Sequence, residues 1–180
     1  MSQYPFSAHI VRHFLLALMI PLLALLATPR WIGEAAFRRP ALGKIERVVA
    51  QPPISWLLGV GTMLAWHIPT FFNAALANDG LHIFQELSFL IGGTIFWWPV
   101  FGPLRERHLP ALGAVAYLFS ACLCCSLLGA FLTFGPVLYA HHAKSDQQLG
   151  GMLMWVPGCF VYLSGILSIV IRWYGAERTA

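Results

Sequence analysis

The sequence predicts an all-α membrane protein, a bundle of about five transmembrane helices. Of the 180 residues, 58% are hydrophobic and 10% are charged, and the hydrophobic residues are gathered into long runs. An ordinary soluble domain carries about 25% charged residues. The runs show no alternation of polar and apolar residues, so helices rather than a β-barrel are expected. We expect one domain over residues 1–180.

Five runs are long enough to cross about 30 Å of hydrocarbon at about 1.5 Å per residue. The predicted spans are 8–28, 54–76, 81–102, 110–133 and 150–172. The first run also resembles a secretory signal peptide, but leucine stands where the cleavage site needs a small residue. We therefore expect it to be retained as a helix.

The basic residues predict the orientation of the bundle. They concentrate after the first run, after the third run and at the C-terminal end, as Arg30, Arg38, Arg39, Lys44, Arg47, Arg105, Arg107, Arg172 and Arg178. With five crossings, all three segments lie on one side, which the positive-inside rule makes cytoplasmic. The N-terminus is then outside and the C-terminus is cytoplasmic. Because topology explains the net charge of +4, nucleic-acid binding is not expected.

Ionisable residues within the runs converge at the predicted outer end of the bundle. One helical face carries both His9 and His13, and another carries both His82 and Glu86, because each pair is four residues apart. An ionisable group in hydrocarbon costs about 2.5–3.5 kcal/mol on insertion scales, so such groups indicate function. The expected cluster comprises His9, His13, His67, His82, Glu86 and Asp146, with His141 and His142 in the adjoining loop.

Imidazoles with a carboxylate suit copper, zinc or iron, so a metal site is the sharpest hypothesis. For His9 and His82, an ordinary solvated role at a helix start is equally compatible. Haem held between two histidines is an alternative, as is a proton or quinone path through His67 and Glu86. The sequence contains no recognisable nucleophile with its base, phosphate loop or hydrolase motif, so we expect no enzyme activity.

Soft ligands occur deeper in the predicted bundle. Met63 lies one turn before His67, and Cys122, Cys125 and Cys159 fall near the expected middle of the bilayer. Thioether and thiolate ligands favour Cu(I). At these positions, however, ordinary helix packing by small apolar residues is the more common role.

Six sequence motifs occur in an order typical of one family. They are HIVRHFLL (9–16), WHIP (66–69), the segment 81–90, FWWP (96–99), LLGA (127–130) and DQQLGGMLMWVPG (146–158). Over nearly the whole chain, the sequence resembles the CtaG-like cytochrome c oxidase assembly proteins, in a short form. The resemblance implies a non-enzymatic factor in the bacterial inner membrane that matures a haem-copper oxidase by holding or delivering copper on the outer, periplasmic face.

The resemblance makes His9, His13, His67, His82 and Asp146 the motif residues. The partners that it implies are a haem-copper oxidase subunit or a copper chaperone, within the lipid bilayer. Two departures stand out: family members are usually longer, and they tend to carry His-x-x-Glu-His on the third helix.

In this chain, that third-helix motif is replaced by His82, Gln85 and Glu86, so a carboxylate stands where an imidazole is expected. The competing functions are a haem-binding electron-transfer protein and a structural oxidase subunit without a ligand.

Overall fold

A computed structural model describes residues 5–38, 40–104, 106, 108–139 and 143–178. Within these ranges, the chain is helical, with 87% of residues in helices and no strand, which confirms the predicted all-α class. Several residues that contributed to the predicted topology or cluster lie outside the described residues: Arg39, Arg105, Arg107, His141 and His142.

The helices follow one another with short connections. They are α1 Phe6–Phe14, a π-helical segment Leu15–Met19, α2 Ile20–Ala27, α3 Arg30–Phe37, α4 Pro40–Val49, α5 Pro52–Trp66, α6 Pro69–Ala77, α7 Asp79–Phe101, α8 Ala111–Phe134 and α9 Lys144–Glu177.

Among the described residues, three helical segments are long and apolar enough to cross a membrane: Phe6–Ala27, Ala111–Phe134 and Lys144–Gly175. Helices α4 and α5 would form a fourth span if taken together, although they meet at a bend of 72°. Helix α7, with 23 residues, overlaps the predicted span 81–102 but is not one of these three segments. The helices are thus compatible with a membrane bundle, whereas the count of five and the orientation stay predictions.

The first span is interrupted in its middle by the π-helical segment Leu15–Met19. Pro21 has no amide hydrogen to donate to the carbonyl of Ala17, so the regular helical register is relaxed just before it. The indole of Trp97 on α7 donates a hydrogen bond to the carbonyl of Leu18 at 3.1 Å. This contact fixes the irregular segment against α7.

The second predicted span, 54–76, is divided into α5 and α6 rather than continuous. Helix α5 ends at Trp66, and the residue before Pro69 is extended, with φ −66° and ψ 125° at Ile68. Proline causes this break because its ring disfavours the helical conformation of the preceding residue. His67 therefore lies at the break between two helices instead of within one.

Helices α8 and α9 pack closely because glycines face each other along them. A Cβ added at Gly151 would lie 2.5 Å from the Thr133 hydroxyl oxygen and 2.7 Å from the carbonyl oxygen of Gly129. A Cβ added at Gly129 would lie 2.5 Å from the Cβ of Trp155. Small residues allow such close approach of helices in membranes.

We expect Gly151→Ala to destabilise the protein, because the added methyl group must displace backbone atoms of α8. The cost of such overpacking is about 1–3 kcal/mol, which should lower the melting temperature measured by circular dichroism in detergent micelles. Gly113→Ala is the control, since its Cβ would make only ordinary contacts, with Leu109 at 3.6 Å and Pro110 at 3.8 Å. Equal melting temperatures for the two variants would contradict the packing described for α8 and α9.

Candidate functional site

Four of the predicted residues meet between α1, α7 and the break after α5. We call His9, His13, His67 and His82 the histidine cluster. The distance between ring centroids is 4.1 Å for His9 and His13, 5.2 Å for His9 and His82, and 6.2 Å for His13 and His67. The sequence prediction that these side chains converge is consistent with this arrangement.

Asp146, at the start of α9, binds the first turn of helix α1. The carboxylate accepts hydrogen bonds from the backbone amides of Phe6, at 2.5 Å, and Ser7, at 3.1 Å. Pro5, the residue before α1, has no side chain that can accept a hydrogen bond from these amides. A negative group at a helix N-terminus is stabilising, since the free amides point toward it. Asp146 thus contacts the α1 backbone, while the histidines lie further along the helix.

The hydrogen bonds of His67 determine which ring nitrogen carries the proton. Its Nδ1 lies 2.7 Å from the carbonyl oxygen of Met63, which can only accept a hydrogen bond, so Nδ1 carries the proton. The other nitrogen, Nε2, is buried and makes no hydrogen bond within the described part of the chain. A lone pair on Nε2, with Nδ1–H bound to a carbonyl, is the usual arrangement of a metal-binding histidine.

A second contact fixes the backbone at the helix break. The hydroxyl of Tyr139 donates a hydrogen bond to the carbonyl of His67 at 2.8 Å. Burial raises the pKa of Tyr139, so its hydroxyl remains a donor at neutral pH. The ring of Tyr139 also stacks on Phe6, with 4.8 Å between centroids. The break after α5 is therefore tied to the start of α1.

His13 is the most deeply buried member of the cluster, with 3% of its surface exposed. Its ring packs against Phe89 at 4.4 Å, and the buried amide of Gln85 lies near it. Neither ring nitrogen of His13 makes a hydrogen bond of ordinary geometry with another described residue. The Gln85 amide can nevertheless serve as a partner of the imidazole, and a bound ion or water would be another.

Glu86 lies at the rim of the cluster and is neutralised by a residue that the sequence analysis did not assign to the site. Arg12 contacts both carboxylate oxygens, at 2.7 and 2.9 Å, and His82 Nε2 lies 3.4 Å from one of them. Paired contacts of this kind are strong for an arginine and a carboxylate. The sequence offers one signal for the role of Arg12, because it is a basic residue at the predicted outer end, near the expected position of Glu86.

A small cavity adjoins the buried half of the cluster. Its volume is about 40 Å³, which is room for a water molecule or a single ion. Besides His13 and His67, the sulfur-containing residues Met63, Cys125 and Met154 line it. Among the described residues, no three His, Cys, Asp or Glu side chains are already arranged around a metal position. Binding would therefore need rotation of the imidazoles toward one point.

We expect Asp146→Ala to loosen the start of α1, because two backbone amides lose their acceptor. Loss of a helix N-terminal cap costs about 0.5–2 kcal/mol. Hydrogen exchange of the amides at Phe6 and Ser7, followed by mass spectrometry, should accelerate relative to the amides of α8. Asp146→Asn is the matched variant, since it keeps one acceptor oxygen and should exchange at an intermediate rate. Unchanged exchange in Asp146→Ala would show that the carboxylate does not hold α1.

Comparison with known proteins relates this arrangement to a family. Residues 1–176 match the family model described as cytochrome c oxidase caa3 assembly factor. The chain is similar to uncharacterized protein ML1998 of Mycobacterium leprae, with 22% identity over an alignment of 196 positions. This alignment covers 93% of this chain and 30% of that protein. It is 25% identical to uncharacterized protein Mb0105 of Mycobacterium bovis over an alignment of 203 positions, which covers 96% of this chain and 30% of that protein.

The chain thus spans about 30% of the length of these curated relatives. No solved structure matches it. The family model, in contrast, covers the described helices except the last residue of α9, and it includes every member of the histidine cluster. The chain belongs to the cytochrome c oxidase caa3 assembly factor family, as its motifs predicted.

Proposed function

We propose that the protein acts in cytochrome c oxidase assembly by binding copper at the histidine cluster and passing it to an oxidase subunit. In this role, the protein is a non-enzymatic factor, and copper is its cargo. The observation that carries the proposal is the lone pair of His67 Nε2, buried and without a hydrogen bond in the described structure, close to the equally buried imidazole of His13.

The chemistry of the donors favours copper. Neutral imidazole binds copper well, and the thioether groups beside the cavity suit its reduced form, Cu(I). Carboxylates are peripheral: Asp146 accepts hydrogen bonds from the α1 backbone, and Glu86 is paired with Arg12. A site made mainly of uncharged ligands fits a monovalent ion better than a hard divalent ion, which prefers oxygen ligands.

The graded burial of the histidines suggests a route for the ion. The side chain of His82 is 27% exposed. The other three histidines are buried, with exposed fractions of 9% for His9, 5% for His67 and 3% for His13. An ion entering beside His82 would meet His9 next and then the pair His13 and His67. Because His82 lies near the predicted outer end of α7, we propose that loading occurs on the periplasmic face of the bacterial inner membrane.

The size of the cavity favours an ion over haem. Sites for organic ligands usually occupy about 300–1,000 Å³, whereas the cavity beside His13 and His67 has about 40 Å³. Haem binding between these two histidines would require α1 and α5 to separate. Copper binding requires only that imidazole rings rotate about their own bonds.

The test is copper binding by the purified full chain in detergent. We expect about one copper ion per histidine cluster, with affinity reduced at least tenfold in His13→Ala and in His67→Ala, since each removes a buried ligand. Competition with a chromogenic Cu(I) chelator measures the affinity. Copper binding that is unchanged in both variants would overturn the proposal.

His108→Ala is the matched control. Its imidazole lies in the connection between α7 and α8, where Nε2 is 2.7 Å from the carbonyl of Gly102, and it is far in the chain from the cluster. This variant should bind copper as the parent does. A visible spectrum of the same preparation separates the haem alternative, because a Soret band that disappears in His67→Ala would indicate haem instead of copper.

A further inference from the structure

Two cysteines on neighbouring helices form a second group of soft ligands. We propose that Cys122 on α8 and Cys159 on α9 bind a monovalent soft metal ion, Cu(I), at a site separate from the histidine cluster. The two sulfur atoms lie 3.6 Å apart, although the residues are 37 positions apart in the chain. Both thiols are free in the structure, with no disulfide between them.

The hydrogen bonds around the pair define the position of each thiol proton. The hydroxyl of Ser126 donates to the carbonyl of Cys122 at 2.8 Å, so its oxygen is left to accept from the Cys159 thiol at 3.0 Å. The Cys122 thiol in turn donates to the sulfur of Cys159. The three side chains therefore form one connected network, which holds the two sulfurs on facing sides of α8 and α9.

This spacing is close to that of a metal bridge between two sulfurs. With metal–sulfur bonds of about 2.3 Å, the two sulfurs would be roughly 4 Å apart in trigonal and roughly 4.6 Å apart in linear coordination. From 3.6 Å, the sulfurs must separate by about 0.4–1 Å, a distance that small side-chain rotations supply. No movement of the helix backbones is needed.

Charge balance favours a monovalent ion in this apolar setting. When Cu(I) binds, one thiol loses its proton to the solution and the resulting thiolate binds the ion, while the second sulfur binds through a lone pair. One positive charge enters and one leaves, so the net charge of the site is unchanged and no electron is transferred. An uncompensated charge would be costly among the apolar side chains of α8 and α9.

Coordination number separates Cu(I) from zinc. Protein zinc sites almost always have four ligands, whereas this group offers two sulfurs and the hydroxyl of Ser126. Thiol ligands in low number select the softer Cu(I) ion. The site lies beyond the cavity of the histidine cluster: Cys125 lines that cavity, and Cys122 is three residues before it on the same helix.

The experiment uses the full chain with both His13→Ala and His67→Ala, so that the proposed histidine site is removed. Under anaerobic conditions, the protein is titrated with Cu(I) in competition with bicinchoninate. We expect about one Cu(I) per chain to remain, and Cys122→Ser or Cys159→Ser to weaken its binding at least tenfold. Failure of the histidine proposal does not affect this result, because the histidines are already replaced.

Cys124→Ser is the matched control, since Cys124 lies on the same helix and takes part in no hydrogen bond of the pair. It should leave Cu(I) binding unchanged. X-ray absorption at the copper edge gives a second readout that needs no cysteine variant: sulfur neighbours at about 2.2–2.3 Å are expected. No Cu(I) binding in the histidine double variant, or binding that ignores both serine substitutions, would overturn the proposal.

Discussion

The candidate site depends on one carboxylate, that of Asp146, which holds the first backbone amides of α1 from 140 residues away in the chain. Because His9 and His13 project from α1, this contact sets their position along the helix axis relative to His67. The ring of Phe6 adds to it by packing against both Phe72 and Tyr139, with 5.3 and 4.8 Å between ring centroids. Helices α1, α6 and α9 are thereby joined at one end of the bundle, and the histidines lie just below this junction.

The surroundings of the buried half of the histidine cluster are largely apolar. Buried polar groups normally satisfy one another, as the Tyr139 hydroxyl and the His67 carbonyl do. The Nε2 of His67 is an exception among the described residues. Since Arg12 neutralises Glu86 at the rim, the cluster carries little net charge when its imidazoles are neutral. Copper binding at the cluster, as proposed, would therefore not have to displace a strong ion pair.

The sequence predicted helical periodicity well, because that depends only on local spacing. The pairs His9 with His13 and His82 with Glu86 share helix faces. The predicted continuous span 54–76 is instead divided before Pro69, since the effect of that proline outweighs the apolar pattern. The role of Asp146 was not predictable, because its partners are backbone amides, which no residue type reveals. Likewise, the π-helical segment is fixed by Trp97 from another helix, a contact that local spacing does not encode.

The most direct test of the account is the copper content of the cytochrome c oxidase made by cells that carry His67→Ala in this protein. Metal analysis of the purified oxidase, normalised to its haem, compares these cells with cells that carry His108→Ala. If the histidine cluster handles copper, the oxidase loses copper in the His67→Ala cells and keeps it in the His108→Ala cells. A full complement of copper in both would contradict the claim that the histidine cluster handles copper for oxidase assembly.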